Sequence, residues 1–236
     1  MNDSEQTVYK YLTSQCLGTV VFEPDGRGTT PDFVVDGRIA VEVRRLNQNE
    51  ETAAGHRGLE EISKPLSEWV PKALESIGPP VNGASWFVFF TYGRPLPPRR
   101  KLEKLLCRAL REVRDQPSFG GHEVRVASTM RLRFARAAEA HRSLFVLGGS
   151  GDHDSGGFVV SEMARNLRIC IAEKSLKVSK VRSRYSEWWL ALEDRIGYGT
   201  LDERDRNQLR GLVQPEDPWS RIILVNPLEP SSAFDL

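Results

Sequence analysis

Residues 31–46 read Pro-Asp-Phe-Val-Val-Asp-Gly-Arg-Ile-Ala-Val-Glu-Val-Arg-Arg-Leu. Two runs rich in β-branched residues flank Asp36-Gly37, and Asp-Gly between such runs is a strong hairpin signal. Along the second run, β-branched residues alternate with Glu42 and Arg44, which places those two side chains on one face of the strand. The stretch therefore predicts two antiparallel strands that carry charged residues.

The length of the turn decides whether two carboxylates of this hairpin can meet. A two-residue turn at Asp36-Gly37 pairs Asp32 with Val41 and puts Glu42 on the opposite face of the sheet. A three-residue loop, or one bulge, pairs Asp32 with Glu42 on the same face. A site that uses both carboxylates therefore requires an irregular hairpin, and the sequence leaves both registers open.

The elements around the hairpin predict a mixed α/β fold. A helix and a strand precede it, and a helix and a continuous apolar strand at residues 85–92 follow it, with more helices and strands towards the end. We expect one domain over residues 1–236. Its predicted parts are a core at residues 4–92, an embellishment at about residues 94–150, and C-terminal helices and strands at residues 157–236.

The composition narrows the class of protein. The 236 residues include 33 Lys plus Arg and 32 Asp plus Glu, and 39% are hydrophobic, which excludes a disordered polyelectrolyte. The longest apolar run is five residues at 86–90, far short of the ~20 that a membrane span needs. The three cysteines are scattered, which argues against a disulfide framework and a zinc knuckle. We expect a soluble, cytoplasmic protein without a signal peptide or a membrane partner.

Basic residues concentrate in two segments of this nearly neutral chain. From Arg94 to Arg114 eight bases accompany two acids, and from Arg165 to Arg184 seven bases accompany one acid. Such segments can form a phosphate-binding surface, although they are equally typical of the solvated faces and C-terminal ends of helices. The candidate nucleic-acid contacts in the second segment are Lys174, Lys177, Lys180, Arg182 and Arg184.

Two carboxylates on neighbouring strands can bind one divalent cation. Mg²⁺ is commonly held by one or two carboxylates while it keeps several waters and contacts a substrate phosphate. Such an ion polarises a phosphodiester, and a nearby cation stabilises the charge that develops on the phosphate. The structural alternative is that Asp32 caps a turn, and that an ion pair between Glu42 and Arg44 offsets the burial of both charges.

Pro31-Asp32 and Glu42-Val43-Arg44 resemble the motif of the restriction-endonuclease-like PD-(D/E)XK nuclease superfamily, with Arg where that family usually has Lys. The family's core order of helix, three strands, helix and strand also fits residues 4–92. The resemblance implies a mixed central sheet flanked by helices, with extra α/β elements after residue 93. It also implies a nuclease that depends on Mg²⁺ or Mn²⁺ and acts on DNA rather than RNA.

By the same resemblance, Asp32 and Glu42 are the expected metal ligands, with the Val43 carbonyl and the helix-borne Glu5 as further ligands. Arg44 cannot act as a base because its pKa stays above ~12, but it can stabilise phosphate charge. Some family members carry the lysine on the following helix, where Lys64 is the candidate. Alternatively, Arg44 marks an inactive nuclease-fold module that binds nucleic acid or a protein partner. The sequence allows a homodimer.

Overall fold

The computed structural model describes residues 1–53, 55–115 and 123–236. The chain divides into two compact units. Unit 1 comprises Met1–Arg57 and Gly156–Leu236, and unit 2 comprises Gly58–Ser155. Unit 2 is therefore inserted into the chain of unit 1, which differs from the single domain that the sequence predicts.

The described residues form five α-helices and twelve strands. In chain order they are α1 Asp3–Ser14, β1 Val20–Phe22, β2 Phe33–Val35, β3 Ile39–Leu46, β4 Asn49–Thr52, β5 Gly55–Gly58, α2 Glu60–Glu75, β6 Trp86–Tyr92, α3 Arg99–Arg114, β7 Glu123–Ala127, β8 Met130–Arg136, β9 Phe145–Asp152, α4 Val159–Val178, β10 Glu187–Asp194, α5 Glu203–Leu212, β11 Arg221–Val225 and β12 Ala233–Asp235. The chain is thus a mixed α/β protein, as the sequence predicts.

Unit 1 is built on a mixed six-stranded sheet with the order β1-β2-β3-β10-β11-β12. The hairpin β2–β3 is antiparallel, whereas β10 lies parallel to both β3 and β11. A parallel neighbour requires a crossover connection, and α4 supplies it before β10. The central strands are therefore β3 and β10, and both are buried along most of their length.

Helices cover both faces of this sheet. Val8 and Leu12 of α1 pack on the face that carries Val41 and Val43 of β3. Leu167 of α4 and its helical neighbours pack on the other face, together with residues of α5. Because side chains of a strand alternate between faces, Glu42 and Arg44 belong to the face that α4 covers.

The hairpin has the three-residue connection that a joint carboxylate site requires. Phe33 pairs with Val41 and Val35 pairs with Ile39, so residues 36–38 form the turn. Gly37 has a φ of 67°, in the left-handed region that glycine adopts without strain. Extended by one position, this register sets Asp32 opposite Glu42, on the same face.

Unit 2 contains a four-stranded sheet with the order β7-β8-β6-β9, in which β6 and β9 are parallel and the other pairs are antiparallel. Leu74 of α2 and Leu106 of α3 pack with Phe90 and Leu132 in one core on one face of this sheet. Its apolar contacts are its own, separate from the two core clusters of unit 1.

The position of β6 corrects the core predicted at residues 4–92. That prediction placed the apolar strand at residues 85–92 in the sheet of the hairpin, whereas β6 pairs with β8 and β9 of unit 2. The neighbour of β3 is β10, from the C-terminal part of the chain. A continuous apolar run predicts a buried strand, but it does not specify the partner strand. A central strand has the same apolar composition in either of the two sheets.

No helix in the described ranges is both long and apolar enough to span a membrane.

Candidate functional site

The two predicted carboxylates lie together at the start of the hairpin. Asp32 directly precedes β2, and its Oδ2 accepts a hydrogen bond from the Val43 amide at 2.7 Å. This bond holds the Asp32 side chain against the edge of β3, just past Phe33 and Val41, the last paired residues of the hairpin at that end. Glu42, one position earlier on β3, has a fully buried side chain.

Lys174 of α4 contacts both carboxylates. Its Nζ lies 2.6 Å from Glu42 Oε2 and 3.4 Å from Asp32 Oδ2, and its side chain is only 15% exposed. Lys177 Nζ lies 3.3 Å from the same Glu42 oxygen, with a side chain that is 42% exposed. The buried charge of Glu42 is therefore paired, as a carboxylate in a sheet interior must be.

One oxygen of Glu42 has no such partner. Glu42 Oε1 is buried and has no hydrogen bond from any described group. Leaving a buried carboxylate oxygen unpaired is costly, so the site can accept one more donor or a cation at this atom.

The stripe of α4 that faces the sheet explains how the lysines reach the carboxylates. Met163, Leu167 and Cys170 recur at helical spacing and are fully buried. The next members of this stripe, three to four residues further on, are Lys174 and the pair Lys177–Val178. A lysine at a position where the helical period predicts an apolar residue indicates a buried charge, and this signal could have identified Lys174 from the sequence.

Arg44 lies beside the carboxylates but pairs elsewhere. Its guanidinium forms an ion pair with Glu173 of α4, and Arg44 is 20% exposed. The ion pair between Glu42 and Arg44 that the sequence offered is replaced by two separate pairs, one for each residue. Arg44 therefore ties α4 to β3 next to the site.

Cys170 is the buried thiol of this region. Burial raises its pKa to about 11, against the opposing effect of the positive charges of Arg44 and Lys174. It is thus a protonated thiol at neutral pH, which fits its place in the apolar stripe rather than a role as a nucleophile or a metal ligand.

Glu5 does not belong to this site, which corrects its prediction as a metal ligand. Its carboxylate accepts hydrogen bonds from the backbone amide and the side chain of Asn2 and caps the first turn of α1. Moreover, α1 packs on the face of the sheet opposite to Glu42. The carboxylate faced by α1 is the buried Glu193, whose Oε2 accepts a hydrogen bond from Ser4 Oγ at 2.6 Å.

The predicted cationic edge from Lys174 to Arg184 is not a continuous free surface. Lys174 and Lys177 point to Glu42, while Arg182 pairs with Asp217 at 3.6 Å and Arg184 pairs with Asp25 at 2.6 Å. Only Lys174 and Lys177 lie on α4, and the other three residues follow the end of that helix. Lys180 is exposed. Nucleic-acid binding by these five residues stays a prediction.

Lys64, the alternative lysine, lies on α2 of unit 2. Within unit 1, the helix that follows β3 and leads to the next strand of the sheet is α4. The helix that brings a lysine to the carboxylates of the hairpin is therefore α4, and that lysine is Lys174.

The donor set fits a hard divalent cation with few protein ligands. It comprises Asp32, Glu42 and the Val43 carbonyl, which points to the same side of β3 as the Val43 amide because both groups of an extended residue share one edge. The described residues contain no cluster of three or more His, Cys, Asp or Glu side chains with metal-binding geometry. Two carboxylates are nevertheless enough for Mg²⁺, which takes its remaining ligands from water and substrate.

Comparisons with known proteins do not assign this site. No protein-family model matches the chain, and no curated protein and no solved structure is similar to it.

Proposed function

We propose that the chain is a divalent-metal-dependent nuclease that hydrolyses phosphodiester bonds, in DNA rather than RNA, with Asp32 and Glu42 as the metal ligands. One observation carries this proposal: the irregular hairpin sets both carboxylates on one face, where Lys174 Nζ contacts each of them. Two carboxylates that can hold a metal ion, with a lysine in contact with both, are the groups that a metal-assisted phosphodiesterase uses.

The order of the elements in unit 1 supports the proposal. With unit 2 and the separate two-stranded sheet β4-β5 left out, the chain runs through α1, β1, β2, β3, α4 and β10. This is the order of helix, three strands, helix and strand that the restriction-endonuclease-like resemblance implies. A lysine on α4 also supplies the group that Arg44 cannot replace, because an ammonium can lose a proton and a guanidinium cannot.

Each residue has a distinct chemical part in the proposed reaction. A bound Mg²⁺ or Mn²⁺ supplies charge neutralisation at the phosphate and lowers the pKa of its water. Asp32 and Glu42 would hold that ion, and Glu42 Oε1 is free to bind it. Lys174 would orient the attacking water. Lys177, with its half-exposed side chain, would contact a phosphate oxygen.

Metal binding tests the proposal most directly. Titration calorimetry with Mn²⁺ should detect binding by the wild type and its loss in Glu42→Gln, while Glu187→Gln, a carboxylate on the exposed end of β10, should bind as the wild type does. Cleavage of single- and double-stranded DNA should follow the same pattern. Equal Mn²⁺ binding by Glu42→Gln and wild type would refute the site assignment.

A non-catalytic module is the second candidate, and the position of Lys174 favours it. The ammonium bridges Asp32 and Glu42 and so balances their charge without a metal. This alternative gives no Mn²⁺ binding either with or without DNA, and no cleavage. A protein that binds nucleic acid equally well in Mn²⁺ and in EDTA, but leaves it intact, would establish the non-catalytic module.

A further inference from the structure

The sheet of unit 2 has one face that no described helix of the unit covers. Both α2 and α3 pack on the side that carries Val88, Phe90 and Leu132. The register of the strands assigns the opposite side to a defined set of residues, which we call the open face: Glu123 and Arg125 of β7, Arg131, Arg133 and Ala135 of β8, Phe87, Phe89 and Thr91 of β6, and Val146, Gly149 and Gly151 of β9.

Aromatic rings lie at the centre of the open face. Phe87 and Phe89 are two residues apart on β6, a central strand, and both are partly exposed. The core of the unit is on the other side of the sheet, and outside that core the Phe87 ring makes an edge contact with the His141 ring, with 5.3 Å between the ring centres. The spacing of Phe87 and Phe89 along the strand, about 6.4–6.8 Å for two residues, is compatible with stacking of successive unpaired bases.

The neighbouring strand β9 carries glycines beside Phe89, where the register between β6 and β9 shifts. A Cβ added at Gly148 would lie 2.7 Å from the Phe89 ring, and one at Gly149 would lie 3.3 Å from it. The ring of Phe89 therefore rests on the backbone of β9, and a side chain at Gly148 would displace it. Beside Phe89 the open face thus presents the backbone of β9 rather than side chains that would block a planar ligand.

The charge of the open face is positive. Its cations are Arg125, Arg131 and Arg133, all exposed, and its one acid, Glu123, pairs with Arg131 at 2.8 Å. The Arg133 guanidinium lies 5.5 Å from the centre of the Phe89 ring. A guanidinium beside an aromatic ring offers a second planar surface for a base and a positive charge for a phosphate.

We propose that the open face of unit 2 binds single-stranded nucleic acid, with bases stacked on Phe87 and Phe89 and phosphates held by Arg125 and Arg133. Exposed rings on a central strand, glycines beside them and surrounding arginines together match a polyanion with planar bases. A duplex keeps its bases stacked internally and cannot use the rings. The proposal does not depend on the metal site in unit 1.

Fluorescence anisotropy of the full chain with a labelled twenty-nucleotide oligo-dT in EDTA tests the proposal, because EDTA prevents metal-dependent cleavage. Phe89→Leu and Phe87→Leu keep an apolar side chain but remove the ring, and each should weaken binding about fivefold or more. Phe158→Leu makes the same change at an 87% exposed ring of unit 1 and should leave binding unchanged.

The salt dependence separates the role of the arginines from that of the rings. Arg133→Gln and Arg125→Gln should each lower the slope of log K against log salt by about 0.7, the value for one phosphate contact with a single strand. Arg204→Gln, an exposed arginine of α5, is the matched control with an unchanged slope. Oligo-dT and oligo-rU compared side by side decide between DNA and RNA as the preferred strand.

Each of three kinds of result would overturn the proposal: no binding, binding that ignores the rings or the strandedness, and a dimer. The first is no binding of either oligonucleotide by the wild type. The second is equal binding by wild type and both leucine variants with unchanged thermal melting, or equal affinity for duplex and single strand. The third is a wild-type dimer in light scattering that becomes a monomer in Phe89→Leu, since the open face would then join two copies of the chain. None of these results bears on Mn²⁺ binding at Glu42.

Discussion

Lys174 Nζ lies 2.6 Å from Glu42 Oε2, and the two residues are 132 positions apart in the chain. Glu42 is fully buried on a central strand, so the helix α4 carries the counter-charge into the interior of unit 1. The same contact thereby stabilises the packing of α4 on the sheet and holds the proposed metal ligand in place.

Replacement of Lys174 by methionine should destabilise the protein by about 3 kcal/mol, because it leaves the buried Glu42 with Lys177 as its remaining partner. Urea denaturation followed by circular dichroism measures the change. Lys180→Met, at an exposed position just after the end of α4, is the control and should stay within about 0.5 kcal/mol of the wild type. Equal midpoints for the two variants would mean that the ion pair has no net effect on stability.

Alanine should have opposite effects at two glycines that both have open space around them. Gly37 has a φ of 67° in the hairpin turn, so Gly37→Ala should cost about 1–2 kcal/mol through backbone strain alone. Gly211 is in α5, where Gly211→Ala should stabilise by about 0.5–1 kcal/mol. Thermal melting of both variants checks the prediction, and a loss of stability in each would refute the conformational argument.

Glu193 should make the stability of the protein depend on pH in the acid range. Burial alone would raise the pKa of this carboxyl, but hydrogen bonds from Arg195 and Ser4 outweigh that effect and hold the pKa below its ordinary value. The unfolded chain therefore binds the proton more readily. The resulting stabilisation is complete above about pH 5 and is lost as the pH falls through the pKa of the folded state.

Glu193→Gln should remove this contribution, so that its free energy of unfolding varies less between about pH 5 and pH 3 than that of the wild type. Ser4→Ala, which deletes one of the hydrogen bonds, should produce a smaller change in the same direction. Urea unfolding at a series of pH values measures both. A steeper acid dependence in Glu193→Gln would contradict the assigned direction of the pKa shift.

The cysteines should differ in their reaction with a thiol reagent. Cys16 is exposed, whereas Cys170 is fully buried and burial raises its pKa to about 11. At pH 8 the Cys16 thiol should react in the fast phase of labelling. The Cys170 thiol should react only after the protein is denatured. The variant Cys16→Ser identifies the fast phase. Rapid labelling of Cys170 in the folded protein would place α4 away from the sheet.

The local part of the candidate site could be predicted from the sequence. Asp32 and Glu42 are ten residues apart in one hairpin, so their strands and the two alternative registers follow from alternation and turn chemistry. The three-residue turn confirms the register that brings them together. The choice between the registers needed the folded backbone, because Asp36-Gly37 is compatible with both.

The distant part could not be predicted, because sequence patterns do not specify which strands are neighbours. The apolar run at residues 85–92 predicts a central strand. It does form one, but in the sheet of unit 2 rather than in that of the hairpin. The strand beside β3 is β10, and α4 comes with it. The charge pattern therefore predicts Lys174 as a surface contact for nucleic acid, although its place in the buried stripe of α4 follows from helical spacing.

The side chain of Gln48 donates to the Gly156 carbonyl at 2.8 Å and accepts from the Gly156 amide at 3.2 Å. Gly156 is where the polypeptide returns to unit 1, and Gln48 lies nine residues before Arg57, where the polypeptide leaves it. The entropy of closing such a segment grows only by about 0.6 kcal/mol for each doubling of its length. Unit 2 can therefore be lengthened, exchanged or replaced by a brief linker at little thermodynamic cost to the sheet of unit 1, which makes this junction a natural place for modules to be gained or lost.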